Sequence, residues 1–328
     1  MTPTHIGLRL LVIMACSAGT AALSASAPAF AEEAPASSTG PAAEQASGES
    51  GANPDEINPS ITLKGSVWRT KPGIVFLKTP VGLLTLSSKT TLKDLRGSQE
   101  VSFWVHGSSM TIDIRKRVDG SLVHRYLSGP FTAGEDKKLA RWTPEGDQSF
   151  HYGTHDARLA ALRQGDPVTV EVDDTGAVIG VHDLQFDLQV GQIPSGNSPT
   201  HLLLSGTVSK LKSNFIFFRT PVGVINVNAK IGIRNAKVGQ TMTLHMHQHH
   251  VVADLGPSQA AAPAHRFVTG PLEFATPDRT SVKLWTPEGE QTFPANQGKS
   301  MLASAKEGAP ITVELDAQGA VVGFHRLN

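Results

Sequence analysis

Cysteine is almost absent from the chain, because Cys16 is the only one in 328 residues. This excludes a disulfide framework and any zinc site built on several thiolates. Net charge is absent as well, since 29 basic residues balance 29 acidic ones. That balance argues against a nucleic-acid binder, which needs a basic excess on one face. No apolar run beyond the N-terminus is long enough to cross a membrane. What remains is a Gly- and Pro-punctuated sequence that favours a soluble, β-rich protein.

The N-terminus has the pattern of a secretory signal over residues 1–31. Arg9 supplies the positive region, an apolar stretch follows, and Ala29-Phe30-Ala31 is a small-x-small cleavage site. Cleavage there predicts a periplasmic or secreted protein with no transmembrane span in the mature chain. The alternative is a lipid anchor on Cys16, because Ile13-Met14-Ala15-Cys16 resembles the lipobox of bacterial lipoproteins, with Met14 departing from the usual small residue.

Residues 32–59 consist mainly of Ala, Pro, Ser, Gly, Glu and Gln, with Ile57 as the only large aliphatic residue. Such a segment buries too little apolar surface to offset its conformational entropy. The composition predicts a disordered linker between the export site and the folded part.

The rest of the chain is a tandem duplication. Leu77-Lys-Thr-Pro-Val-Gly82 recurs 141 residues later as Phe218-Arg-Thr-Pro-Val-Gly223, and downstream matches such as Trp142 with Trp285 follow at an offset of 143. The first repeat unit therefore covers 60–185 and the second covers 201–328. The turn-forming residues of 186–200 predict a linker between them, and each unit is expected to fold alone.

Each unit also contains two related halves. Gly65 and Gly129 are 64 residues apart, and so are Thr79-Pro-Val-Gly82 and Thr143-Pro-Glu-Gly146. This spacing predicts four modules, at 61–115, 125–184, 202–256 and 266–327.

Within a module the apolar period is two, and the Thr-Pro-x-Gly segments predict tight hairpin turns. The predicted order is three strands, a short helix and two strands. Gly206-Thr-Val208, Phe217-Phe-Arg-Thr-Pro-Val-Gly-Val-Ile-Asn226 and Val238-Gly-Gln-Thr-Met-Thr-Leu244 resemble small periplasmic bacterial OB-fold modules. The resemblance implies an all-β fold of four small OB-like five-stranded barrels, used for binding or scaffolding, without catalytic residues. An SH3-like barrel and a β-sandwich spanning two modules are the alternatives.

Histidine is concentrated in one segment, Leu244-His-Met-His-Gln-His-His250. On a strand, His245 and His247 share one face, and His249 and His250 follow at the turn. Imidazoles at this spacing are candidate ligands for Zn, Cu or Ni. The alternative is a polar outer face, because only one histidine of the segment, His247, matches a histidine of the first unit, which is His106.

Trp142 and Trp285 recur beside identical Thr-Pro-Glu-Gly turns. An aromatic residue at a hairpin end can stack on a ligand, as it does in OB-type barrels. Packing against an adjoining module is the favoured alternative.

No nucleophile elbow, paired-histidine zinc motif, phosphate loop or nucleophilic cysteine is recognisable. The sequence therefore predicts a non-enzymatic binding or scaffolding protein of the bacterial envelope, without a resident cofactor. Its partner is an envelope protein or a small ligand, and not a nucleic acid. A periplasmic metal-binding protein is the first alternative, and a hydrolase with residues gathered between modules is the second.

Overall fold

The computed structural model describes residues 58–327, except for 90–94, 96, 98, 133, 154–155, 195–198 and 258–264. The predicted signal at 1–31, Cys16 and almost all of the predicted linker at 32–59 lie outside these residues. The side chains of Glu135 and Asp156 are also outside the description.

The described chain is all-β, as the alternating sequence predicts. Its strands are β1 (Ser60–Lys71), β2 (Ile74–Thr79), β3 (Gly82–Ser87), β4 (Glu100–His106), β5 (Ser109–Arg115), β6 (Leu122–Pro130), β7 (Lys138–Thr143), β8 (Gly146–His151), β9 (Pro167–Val172), β10 (Val178–His182), β11 (Gln185–Val190), β12 (His201–Lys212), β13 (Phe215–Thr220), β14 (Gly223–Asn228), β15 (Thr241–His247), β16 (His250–Gly256), β17 (His265–Pro271), β18 (Glu273–Phe274), β19 (Ser281–Thr286), β20 (Gly289–Pro294), β21 (Pro310–Asp316) and β22 (Val321–Arg326). The helices are α1 (Asp156–Leu159) and α2 (Lys299–Ala303), with 3-10 turns at Glu135–Lys137, Ala229–Ile231 and Ala295–Gly298.

The same hairpin turn closes in all four predicted modules. Thr79, Thr143, Thr220 and Thr286 each donate a side-chain hydrogen bond to the carbonyl of the glycine three residues later, over 2.7–3.0 Å. Those glycines have φ between 111° and 144°, a conformation that residues with a Cβ rarely adopt. The Thr-x-x-Gly repeat is therefore a physical requirement of the turn.

Seven strands drawn from both repeat units pair into a closed ring. Its order is β1–β2–β3–β11–β14–β13–β12, and β12 returns to β1 through residues 60–62 and 201–203. Every pair is antiparallel except β11 with β14, which is parallel. The segment 186–200, predicted as a linker, thus includes most of a strand of this ring.

Four separate OB-like barrels are not confirmed, because the modules share strand pairs. β5 pairs with β6 and β16 with β17, so each upstream module continues into its downstream neighbour. Seventeen strands form one mixed sheet, while β7–β8 and β18–β19–β20 form two small sheets beside it.

The buried apolar side chains also ignore the boundary between the repeat units. One large core joins residues of both upstream modules, from Ile61 and Phe103 to Leu204 and Phe218. The downstream modules have cores of their own, around Leu139 in the first unit and Leu284 in the second. Because the large core is shared, the expectation that each unit folds alone loses its physical basis.

Candidate functional site

A cavity of about 580 Å³ lies where the first repeat unit meets a turn of the second. Strands β5, β6 and β9 form one side, the chain entering β11 forms another, and the β13–β14 turn completes it. The lining residues are Val105, Ser108, Ser109, Met110, Ser128, Gly129, Pro130, Gly165, Pro167, Val168, Thr169, His182, Asp183, Leu184, Gln185, Phe186, Pro221, Val222 and Gly223.

The cavity walls combine apolar side chains with hydroxyl groups. Ser128 Oγ and Thr169 Oγ1 are hydrogen-bonded to each other over 2.7 Å, and Thr169 is buried. Asp183 is exposed, while Leu184 beside it is buried. An apolar enclosure with a few oriented polar groups is the usual composition of a small-molecule site.

The matching position in the second unit is covered. Thr269 and Thr312 form the equivalent hydroxyl pair, with 2.8 Å between their oxygens. Gly232 lies so close to them that a Cβ there would be 2.2 Å from Thr269 Oγ1. The segment of the first unit that matches Gly232 lies at 90–94, outside the described residues. Gly232 therefore lies over the hydroxyl pair of the second unit, whereas Ser128 and Thr169 of the first unit line the cavity.

Arg141 is buried next to this cavity without an acidic partner among the described residues. Its guanidinium donates to the carbonyls of Pro130 and Ala140 over 3.1 and 2.8 Å, while Nε and the second amino group have no hydrogen-bond partner. Burial lowers the pKa of Arg141 to about 10. Gly129 of the cavity wall lies against this side chain, since a Cβ on it would be 3.9 Å from Arg141 Cδ. The second unit has Leu284 here.

A half-buried carboxylate is held by two histidines in the first unit. Glu171 on β9 accepts a hydrogen bond from His124 Nδ1 on β6, and another from His182 Nε2 on β10 over 2.9 Å. Burial alone would raise the pKa of Glu171, but the two hydrogen bonds lower it to about 2. Gly180 makes room, because a Cβ there would be 2.7 Å from His182 Nε2.

The second unit repeats this His–Glu–His set. Glu314 accepts a hydrogen bond from His325 Nε2 over 2.7 Å, and His265 Nδ1 lies 3.2 Å from its other oxygen. The sequence comparison missed both sets as sites, although all six residues lie in segments that match between the units. The one sequence signal for these sets is that all three residues recur together in the second unit, and this recurrence matches no known catalytic motif.

A second repeated ionic set ties the Trp-Thr-Pro-Glu-Gly turn to the sheet. Arg125 donates two hydrogen bonds to the buried Asp113 over 2.6 and 2.8 Å, and lies 3.4 Å from Glu145 of the turn. Asp254, Arg266 and Glu288 repeat the arrangement, with Arg266 donating to Glu288 over 3.0 Å. The recurrent glutamates therefore hold the turn in place.

Trp142 and Trp285 each pack on a histidine of the upstream module. Trp142 stacks on His106, with ring centroids 5.0 Å apart and planes at 16°. Trp285 stacks on His247 at 5.1 Å and meets His245 edge-on at 5.1 Å. Both tryptophans are half-buried, and these ring contacts join each downstream module to its upstream neighbour. Ligand stacking on them stays a prediction.

Three of the four predicted metal residues, His245, His247 and His250, contact the Trp285 ring. His201, which the sequence reasoning did not single out, lies edge-on to His245 with ring centroids 5.3 Å apart. The ring centroids of His249 and His250 are 4.8 Å apart. Burial lowers the pKa of His245 and of His250 to about 4, and neighbouring histidines add to the shift. Among the described residues no group of three or more His, Cys, Asp or Glu side chains is arranged to hold a metal ion.

No protein-family model matches the chain, and no curated protein matches it either. In the part of the chain that the structure describes, no helix is long and apolar enough to cross a membrane. Fold and site define the class of protein: an all-β protein with a ligand-sized cavity among its described residues.

Proposed function

We propose that the chain is an exported, non-enzymatic binding protein of the bacterial envelope that takes a small ligand in the cavity beside β11. The observation that carries this proposal is the cavity itself. Its volume of about 580 Å³ lies within the roughly 300–1,000 Å³ of known ligand sites. Its wall is largely apolar, with hydroxyl groups for orientation. This combination fits a mainly apolar ligand with one or two hydrogen-bonding groups.

The cavity walls belong to elements that other contacts already hold. Thr169 and Val168 lie on β9, which pairs with β6 and β10, and Val222 lies in a turn fixed by the Thr220 hydrogen bond. Strand pairing leaves the walls little freedom, so a ligand would meet a largely preformed site. Export rests on the predicted signal at 1–31, with a lipid anchor on Cys16 as the alternative.

The finer architecture belongs to the same proposal. The chain order β6–β7–β8–α1–β9–β10 supports an OB-like interpretation, because it contains the three strands, short helix and two strands expected of an OB-type module. We interpret the molecule as four OB-like modules of which the two upstream ones have merged their open sides through β11. Merging would explain why the first unit presents its cavity to a turn of the second.

A dye titration tests the cavity. We expect 1-anilinonaphthalene-8-sulfonate to gain fluorescence on the native protein, and Val222→Trp to weaken its binding at least tenfold by filling the cavity. Val224→Trp is the matched control, because Val224 is exposed on the next strand and does not line the cavity. Equal dye binding by both variants would show that the dye does not bind in the cavity.

Metal binding by His245, His247, His249 and His250 is the second candidate function. It is favoured by the crowding of imidazoles from neighbouring strands, with His201 and His247 rings 6.4 Å apart. Because His245 and His250 are held neutral, they have a free lone pair available to a metal. Calorimetric titration with Zn, Cu and Ni tests it. Heat that persists in a His245→Gln, His247→Gln double variant would contradict this assignment.

A further inference from the structure

The outer surface of the seven-stranded ring is basic, although the whole chain is neutral. Its strands contain one acidic residue, Asp187 on β11. Their basic residues are Lys64, Arg69, Lys71, Lys78, Lys210, Lys212 and Arg219. All seven are exposed, and none forms an ion pair within the described part of the chain. The ring therefore gathers positive charge that the total composition conceals.

Six of these cations, all except Lys64, lie in two matching surfaces, one on each long hairpin. The first patch, on β1–β2, consists of Arg69, Lys71, Ile74, Phe76 and Lys78. The second patch, on β12–β13, consists of Lys210, Lys212, Phe215, Phe217 and Arg219. Every member of the second patch is 141 residues after its counterpart, so the duplication kept three cations and two large apolar side chains in each.

Strand alternation places each patch on the outside of the ring. Val75 and Leu77 of β2 are buried in the large core, so Phe76 between them faces outward. The cations cover the aromatic rings: Lys71 Nζ is 5.9 Å from the Phe76 ring centre, and Lys210 Nζ is 5.6 Å from that of Phe217. Such contacts hold each ammonium group over a ring while it stays exposed.

Large apolar side chains are exposed beside these cations. Trp68 is 54% exposed in the first hairpin, and Phe215 is 40% exposed in the second. Exposed aromatic and aliphatic residues flanked by Lys and Arg are the composition of surfaces that enter the boundary between lipid headgroups and acyl chains. Each patch thus offers both contacts that such a boundary needs.

We propose that each patch binds an anionic lipid surface, with its three cations on headgroup phosphates and its apolar side chains in the boundary layer. Two details favour lipid over a single-stranded nucleic acid. Bases bind by stacking on open aromatic faces, whereas Lys71 and Lys210 already occupy the faces of Phe76 and Phe217. A nucleic acid would also gain nothing from the aliphatic Ile74 of the first patch.

Vesicle co-sedimentation of the purified protein tests the proposal. We expect binding to vesicles of equal parts phosphatidylcholine and phosphatidylglycerol, and none to phosphatidylcholine alone. Each cation near an anionic surface contributes about 1 kcal/mol, so replacing the three cations of both patches by serine should weaken binding more than about a hundredfold. Replacing those of one patch should cost only about twofold, because the other patch remains.

A charge-matched control separates the patches from general electrostatics. Its six serine substitutions are at exposed cations outside the ring, at Lys116, Arg117, Lys230, Arg234, Lys237 and Lys306. Retained vesicle binding by this control supports the proposal. In the variant that lacks the three cations of the first patch, Phe215→Ser should further weaken vesicle binding, because Phe215 belongs to the remaining second patch. Equal losses in both six-fold variants, or equally tight binding of single-stranded DNA through the same residues, would overturn it. Thermal melts of every variant verify that the fold is intact.

Discussion

Replacing Glu171 by Gln removes the charge that His124 and His182 hold between β6, β9 and β10. The folded-state pKa of about 2, against an ordinary value of 4.5, corresponds to about 3 kcal/mol of stability at neutral pH. The set lies at the edge of the sheet, where solvent screens part of this, so we expect Glu171→Gln to cost about 1–2 kcal/mol. The amide also cannot accept both histidine donors.

The pH dependence gives this prediction its sign. Because the carboxyl is more acidic folded than unfolded, its contribution is complete above pH 4.5 and disappears as the pH falls toward 2. Urea unfolding of the native protein and of Glu171→Gln at several pH values should therefore show a difference in the free energy of unfolding at pH 7. This difference should disappear as the pH falls from 4.5 to 2. Glu314→Gln is the internal comparison, since its partner His265 is more exposed and the loss should be smaller.

A gap that stays constant between pH 7 and pH 2 would show that the variant acts through packing and not through charge. No gap at pH 7 would show that the ionic set contributes nothing measurable. Either result would refute the reasoning from the lowered pKa.

Three further predictions concern other parts of the molecule. Arg141→Leu, which installs the residue of the second unit, should raise stability by about 1–2 kcal/mol in chemical unfolding, because a buried charge without an acidic partner costs more than an apolar side chain; a clear loss would contradict this. The native protein should lose stability as the pH falls from 6.5 to 4, because the pKa of His250 is about 4 in the fold, and His250→Ser should reduce that loss by about 1–2 kcal/mol in melts; an unchanged slope would count against it. Fragments 60–194 and 199–328, which leave β11 intact in the first piece, should each give poorly dispersed amide spectra alone and a dispersed spectrum when mixed, since they share a core; two well-dispersed fragments would disprove the sharing.

The strands and turns were predictable because they depend on local rules. The hairpin at Thr79–Gly82 needs only its threonine, its positive-φ glycine and the alternating residues beside it. The ring was not predictable, because nothing in Gln185–Val190 tells that this strand pairs with β3 and β14 and not with a neighbour in its own unit. Pairing partners depend on long-range burial, which a single sequence does not display.

The sites divide in the same way. Trp142 and Trp285 stood out by recurrence, and the structure places them against His106 and His247. Glu171 drew no notice as a site, because an isolated glutamate on an alternating strand is ordinary until the fold brings His124 and His182 to it. The cavity was also beyond reach, since its walls come from segments up to about a hundred residues apart in the chain.

The contact between β1 and β12 has the form of a two-fold axis. Ser60 faces Leu203 and Thr62 faces His201, which are the pairs that result when two identical strands meet around Ile61 and its counterpart Leu202. Such an isologous contact is how two separate copies of one unit would form a dimer. A strand lying on that axis must run parallel to its neighbour from one copy and antiparallel to its neighbour from the other, as β11 does with β14 and β3. Only one strand can occupy the axis. The fused chain is therefore asymmetric by geometry, because its two halves contact β11 in opposite directions.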